Sequence, residues 1–346
     1  MRLRNVSIRL IFIITTCAAY NGNAIPEASP NLEDKYMTYG PVGQPMQLSR
    51  LSEKENIQLQ KTCGTSVSEA EDRITGGDYA RTGQFPWAVS MATIADRMNW
   101  CSGVLISDRH VLTAIHCFYS YENDTTCRGI KFDTDSVRML IHYGGVCIRN
   151  AEKDQCENQD TQTVQIKKVV LGKEFPETHC QSGNDVAIVE LTEKIKLGGN
   201  VQAICLKNMS SDDMELPSYP TCGMNRTKLR HFTSIGWGRD DVNYSPAGLR
   251  FVHALPRCLR GNSIISVGMS NNRGSSSETR RGICIGDSGG PLQASDPNNG
   301  RAFLIGIQNK GQSCKDKELA RKELEFYSMY IPYMLNDICA LTGVCP

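Results

Sequence analysis

The sequence predicts an all-β chain of antiparallel, barrel-type strands closed by a helix at its end, and three observations lead there. Apolar residues cluster or alternate in short runs between turn residues, as in Trp87-Ala88-Val89-Ser90-Met91, Val104-Leu105-Ile106 and Val164-Gln165-Ile166, which is the periodicity of strands. The stretch from Tyr330 to Leu341 is apolar on one face and reads as a helix. Fifteen cysteines in 346 residues point to a fold stapled by disulfides in an oxidising compartment. The length suits one two-lobed domain, or two domains with appendages.

From the start of the chain, residues 1–24 carry Arg2, Arg4 and Arg9, then the apolar run Leu10-Ile11-Phe12-Ile13-Ile14, then the small residues Gly22-Asn23-Ala24. These are the three regions of a secretory signal peptide, and the apolar run is too short to span a bilayer comfortably. Removing Cys17 with that segment leaves an even number of cysteines, as full pairing requires. Sequons at Asn123, Asn208, Asn225 and Asn243 agree with export. The net charge of +1 sets up no strong field toward nucleic acid. No later segment is long and apolar enough to cross a membrane. A zinc site would need CxxC or HExxH groupings, and the sequence has neither, so no metal is expected. Residues 25–60 are polar, contain Pro26, Pro30, Pro41 and Pro45, and read as extended and mobile.

Three stretches carry chemistry. In Cys284-Ile285-Gly286-Asp287-Ser288-Gly289-Gly290-Pro291, glycines around a serine let the backbone turn sharply and aim the N–H groups of Gly286 and Ser288 at one point. A serine hydroxyl needs such donors, and a base, to act as a nucleophile. Val111-Leu112-Thr113-Ala114-Ile115-His116-Cys117 ends an apolar run in a histidine, whose imidazole titrates near neutrality and suits the base. Asn184-Asp185-Val186-Ala187-Ile188-Val189 places an acid at the head of a strand, where Asp185 would orient His116 and stabilise its charged form.

This constellation, in the order His, Asp, Ser and each in a matching context, resembles the chymotrypsin-like serine endopeptidases of the trypsin family over about residues 74 to 335. The resemblance implies two packed six-stranded antiparallel β-barrels, about 74–200 and 201–335, within a peptidase domain of 74–346. It implies Ser288 as nucleophile, His116 as base, Asp185 as orienter, and Gly286 with Ser288 as the oxyanion hole. Residues 25–73 become a propeptide. Cleavage after Arg73 by an activating protease would free the amine of Ile74 to pair with Asp287. Cys63 is then expected to bond Cys205 and tether the propeptide, Cys101 to bond Cys117, and Cys284 to bond Cys314. Cys258 lacks its usual partner, because Ser266 stands there, and Cys222 is a candidate. Partners would be a peptide or protein substrate, acted on by a secreted monomer that requires no cofactor.

The sequence also departs from the family. Gly282 stands where trypsin has the aspartate that holds basic side chains, Gly311 matches a pocket-entrance glycine expected to admit large side chains, and Glu325 falls on a second pocket-wall position. A carboxylate there could accept a basic side chain or share the pocket with an aromatic one. Ser102 replaces a usual glycine, and Asn309-Lys310 replaces a usual Ser-Trp pair. The chain from about Tyr119 to Cys180, with Cys127, Cys147 and Cys156, is longer than in compact relatives and reads as a disulfide-pinned surface insertion. Its acids Glu152, Asp154, Glu157 and Asp160 lack calcium-loop spacing and read as solvated. These departures leave a second reading: a catalytically weak homologue acting as a secreted binding or regulatory module.

Overall fold

Alternating apolar residues set the strands, and the strands close into two six-stranded antiparallel barrels followed by a C-terminal helix. The computed structural model describes residues 32–41, 47–67, 78–94, 97–122, 127–178, 184–214, 216–222, 232–239, 245–268, 282–311 and 325–346. The described chain begins with a helical turn, α1 (Leu32–Lys35), strand β1 (Tyr36–Tyr39) and helix α2 (Glu53–Thr62). Then comes the short strand β2 (Asp78–Tyr79).

The first barrel uses β3 (Ala88–Ala92), β4 (Asn99–Leu105) and β5 (His110–Thr113), then β8 (Leu140–Tyr143), β9 (Gln162–Gly172) and β10 (Ala187–Leu191). A side ribbon of β6 (Tyr119–Ser120) and β7 (Lys131–Phe132) and the helical turn α3 (Glu174–Glu177) interrupt that run. The strand order is β9-β10-β5-β4-β3-β8, closed by β8 on β9. The second barrel comprises β11 (Phe232–Gly236), β12 (Arg250–Arg260), β13 (Ser263–Gly268), β14 (Pro291–Ser295), β15 (Ala302–Gly311) and β16 (Glu325–Tyr330). Its order is β11-β14-β15-β16-β13-β12, closed by β12 on β11, with β2 added to β12. Hence the chain meets the second barrel before it builds the first. Helix α4 (Leu335–Thr342) follows a 3-10 turn at Ile331–Met334, so the closing helix begins a turn later than its apolar face suggested.

Each barrel is filled from inside. Val89, Val104, Leu112, Ile141, Val169 and Val189 are fully or almost fully buried in the first, and Phe232, Ile264, Leu292, Phe303 and Phe326 fill the second. Each such side chain contributes roughly 1.5–3 kcal/mol on burial. Leu335, Ile338 and Val344 belong to the first barrel's core cluster together with Leu51 and Leu59.

That contact corrects the expectation of a mobile upstream chain. Within residues 32–67 the described parts are folded onto the peptidase. Ser52 and Glu55 cap α2 reciprocally, the side chain of each accepting from the other's backbone N–H, and Leu48, Leu51 and Leu59 are buried. The Ser49 hydroxyl and N–H donate to Glu190 at 2.7 and 3.1 Å. Burial alone would raise this carboxyl's pKa, but Ser49, Lys167 and Lys168 together hold it below the usual range. Asn56 and Gln60 donate to the carbonyl of Cys345, and a Cys63–Cys205 disulfide fastens the end of α2 to the second barrel's side. Mean polarity misled the reading, because a few buried leucines and a capping box suffice when a preformed surface receives them.

The long segment after His116 is likewise more than a surface insertion, since β8 and β9 are staves of the first barrel. The Cys147–Cys156 disulfide closes a loop between β8 and β9, and the acids of this region are not all solvated. Asp154 is 3% exposed and accepts from the Tyr79 hydroxyl at 3.0 Å and the Ala247 N–H at 2.6 Å. Asp160 accepts from the N–H groups of Val146 and Cys147. Turn N–H groups need acceptors, and these two carboxylates supply them. Cys222 bonds Cys258, and Cys339 bonds Cys345.

Candidate active site

Antiparallel register brings the first two residues together. Ala187 at the head of β10 pairs with Thr113 at the end of β5, so Asp185, two residues earlier, faces the chain just beyond Thr113. That chain is a 3-10 turn, Ile115–Phe118, which turns His116 back toward it. Asp185 Oδ1 accepts the backbone N–H of His116 at 2.9 Å, and Asp185 Oδ2 lies 2.6 Å from His116 Nδ1. One carboxylate therefore grips both the backbone and the ring. A disulfide from Cys101 in β4 to Cys117 braces the turn from the other side.

Asp185 is 5% exposed, whereas the imidazole keeps a solvent-facing edge. Burial pushes the His116 pKa down, but the charge of Asp185 and its hydrogen bond more than offset this, so the ring titrates above its usual value. Cys101, Cys117 and His116 form the one grouping of potential metal ligands among the described residues. The two sulfurs are bonded to each other, so they are not available as thiolate ligands.

The glycine-rich turn is wedged against the same strand ends. The Ser102 N–H donates to the carbonyl of Ser288 at 2.8 Å, and the Gly289 N–H donates to that of Gln308 at 2.7 Å. Gly289 has φ +82°, and a β-carbon there would lie 2.0 Å from Thr113 Oγ1 and 2.3 Å from the Ser102 carbonyl. Only glycine permits this approach, and the approach sets Ser288 beside the chain that leads into His116. Asp287 turns inward, its Oδ1 accepting from Gly238 N–H at 2.7 Å and its Oδ2 from Cys284 N–H at 2.8 Å. Burial raises its pKa despite those two donors and the nearby charge of Arg250.

Sequence reasoning missed the residues that hold this turn from behind. Asn99 Nδ2 donates to the carbonyl of Gly286 at 2.9 Å and to that of Trp237 at 3.2 Å, while Ser90 Oγ donates to Asn99 Oδ1 at 2.6 Å. Ser102, which stands where the family usually has glycine, donates its hydroxyl to the same Gly286 carbonyl at 2.9 Å. The signal was present: Ser90, Asn99 and Ser102 are polar positions in otherwise apolar strands β3 and β4, and all are buried. Buried polar groups need partners, and these three partner one another and the turn.

The pocket residues lie on neighbouring segments. Gly311 pairs with Phe326 across β15 and β16, one position from Glu325, which pairs with Val267. Gly311 backs closely onto Ile283: a β-carbon on Gly311 would lie 2.9 Å from Ile283 Cγ1 and 3.0 Å from its carbonyl, so no side chain fits at this position. Gly282, before it, is half-exposed. Among the described residues Asn309 Oδ1 is buried without a hydrogen-bond partner. Cys284 is disulfide-bonded, but Cys314 lies outside the described residues, as do Arg73 and Ile74.

The trypsin family model matches residues 74–333. The chain is also 29% identical over 259 residues to trypsin-like protease try-5 of Caenorhabditis elegans, covering 66% of this chain and 74% of that protein. With two closed barrels, a C-terminal helix and a family match across both, the chain belongs to the trypsin family of serine proteases.

Proposed function

We propose that the chain is a secreted endopeptidase, made as a zymogen, that cleaves peptide bonds through an acyl-enzyme on Ser288. The observation that carries this reading is the two-point grip of Asp185 on His116, with the Ser288 turn wedged against Thr113 beside it. With Nδ1–H held by Asp185, the lone pair of His116 sits on Nε2. His116 takes the Ser288 proton as the oxygen attacks the carbonyl carbon. The N–H groups of Gly286 and Ser288 receive the oxyanion. Collapse breaks the C–N bond, and the imidazolium returns its proton to the departing amine. Water then attacks the acyl carbon as His116 takes its proton, and the imidazolium hands that proton to the Ser288 oxygen as the C–O bond breaks and the acid leaves.

Activation fits the same frame. The raised pKa of Asp287 marks a buried carboxyl for which a cationic partner would be favourable, and the Ile74 amine, freed by cleavage after Arg73, would supply one. Secretion is supported by the leader-like residues 1–24 and by the disulfides. The sequon asparagine Asn208 is exposed, while Asn123, Asn225 and Asn243 lie outside the described residues. No helix among the described residues is long and apolar enough to cross a membrane. Gly282, Gly311 and Glu325 are the residues offered for side-chain selection.

A second reading, a weakly catalytic binding module, is favoured by the Asn309-Lys310 pair, in which the Asn309 amide oxygen is buried without a hydrogen-bond partner among the described residues. Labelling with a fluorophosphonate separates the two. After cleavage at Arg73, wild type takes up the probe on Ser288 and Ser288→Ala does not. Processed wild type that stays unlabelled supports the binding module.

A further inference from the structure

Strand β1 lies upstream of the family match yet belongs to the first barrel's sheet, beside β9. It hydrogen-bonds to the far end of β9, from Tyr36 opposite Gly172 to Tyr39 opposite Val169. The same β9 residues carry β10 on their other edge, with Val170 opposite Ile188 and Val169 opposite Val189. In this way β1 makes β9 an interior strand at the point where β10 begins, next to Asp185. An edge strand there would leave its outer N–H and C=O groups without sheet partners.

Two lines of contact run from the upstream segment toward the pair, one from β1 and one from α1 immediately before it. On the histidine side, the Tyr39 ring stacks on Phe132, with centroids 3.6 Å apart and planes 8° from parallel. Phe132 meets Tyr119 edge-on at 5.9 Å, and Tyr119 meets Phe175 at 6.2 Å. Tyr119 closes the histidine turn, its backbone N–H donating to the His116 carbonyl. On the aspartate side, the Lys173 N–H donates to the Lys35 carbonyl at 2.9 Å and its Nζ to the Glu33 carbonyl at 2.7 Å. Lys173 leads into α3, where Glu174 accepts from Asn184, the residue before Asp185.

We infer that β1 is a positioning element for the His116–Asp185 pair, working through the Tyr39–Phe132–Tyr119 stack, so the upstream chain is a permanent part of the working protein. Its catalytic consequence rests on the peptidase reading above. The geometric part does not. Packed aromatic pairs have few alternative arrangements, so loss of one ring is transmitted to the next.

The test compares Tyr39→Ala, Tyr39→Leu and Tyr39→Phe with Ser52→Ala, which weakens the same upstream segment away from the stack. Two quantities are read on the full chain: kcat and KM after processing, and the downfield proton NMR signal of His116 Nδ1–H with its titration midpoint. Tyr39→Ala and Tyr39→Leu are expected to lower kcat about tenfold with KM nearly unchanged. They should also move the His116 midpoint down toward its free value of about 6.5. Tyr39→Phe loses the hydroxyl bond to Met37 Sδ at 3.2 Å but keeps the stacked ring, so it should stay close to wild type in both readouts, as should Ser52→Ala. If Tyr39→Ala and Tyr39→Leu leave kcat and the midpoint where Ser52→Ala leaves them, the positioning role is wrong. Should wild type itself show no turnover and no labelling, the peptidase reading fails, and the NMR midpoint alone decides the role of β1.

Discussion

Asp185 opposes two demands at His116. Its charge stabilises the imidazolium, yet the reaction needs the neutral ring. Because the folded pKa is raised, the stabilisation from the charged pair is complete below about 6.5 and is lost as pH rises through the folded value. Activity should show the opposite trend, with an acid limb whose midpoint lies above about 6.5. In Asp185→Asn the attraction disappears and burial remains, so the midpoint should fall below that of wild type. kcat should drop by about 10⁴ because the tautomer is no longer held. A pH–rate profile of both proteins checks direction and size. An Asp185→Asn midpoint at or above the wild-type value would contradict the assigned cause. The same scale explains Asn99 and Ser102, whose two donors on one carbonyl leave the Gly286 peptide little freedom to rotate.

Among elements, α2 is the clearest case of weak local signals made effective by context. Its ten residues are too few for a stable isolated helix. The Ser52–Glu55 box satisfies its first N–H groups, Leu59 is buried, and Glu55 accepts from both Arg109 and Lys194. Ser52→Ala should cost about 1 kcal/mol of stability, readable as a lower midpoint in thermal or denaturant unfolding. A change within error would mean that the disulfide and the leucines alone hold the helix. The loop closed by Cys147–Cys156 and the residue before it work similarly: the Val146 carbonyl accepts the Trp237 indole N–H at 2.9 Å, and Asp154 accepts the Ala247 N–H. It thereby supports the chain leaving β11 next to Gly238, whose N–H in turn donates to Asp287.

For the whole molecule, the upstream chain joins parts that the two-barrel plan leaves separate. It pairs with the first barrel's sheet, contacts α4 through the Tyr36 hydroxyl on Asp337 at 2.7 Å, and is bonded to Cys205 beside the second barrel. After cleavage at Arg73 the two pieces should stay together. Processed protein should run as one band on a non-reducing gel and as two on a reducing gel. Arg73→Gln should give one band in both, with no uptake of fluorophosphonate. Full labelling of Arg73→Gln would remove the case for a zymogen.

Local residue chemistry was sufficient for the strands, the family resemblance and the three candidate side chains. A glycine turn, a strand-ending histidine and a strand-heading acid each carry their signature within a few neighbours. What folding alone decided depends on residues far apart in the chain. The register of Ala187 with Thr113 lets one carboxylate hold His116 at two points, Ile283 lies so close behind Gly311 that no side chain fits on that residue, and a polar upstream segment became a strand and a capped helix. Short-range patterns report backbone preference and which face is apolar. They carry no information about which distant surface will receive that face, and β1 has its partner only once β9 is in place.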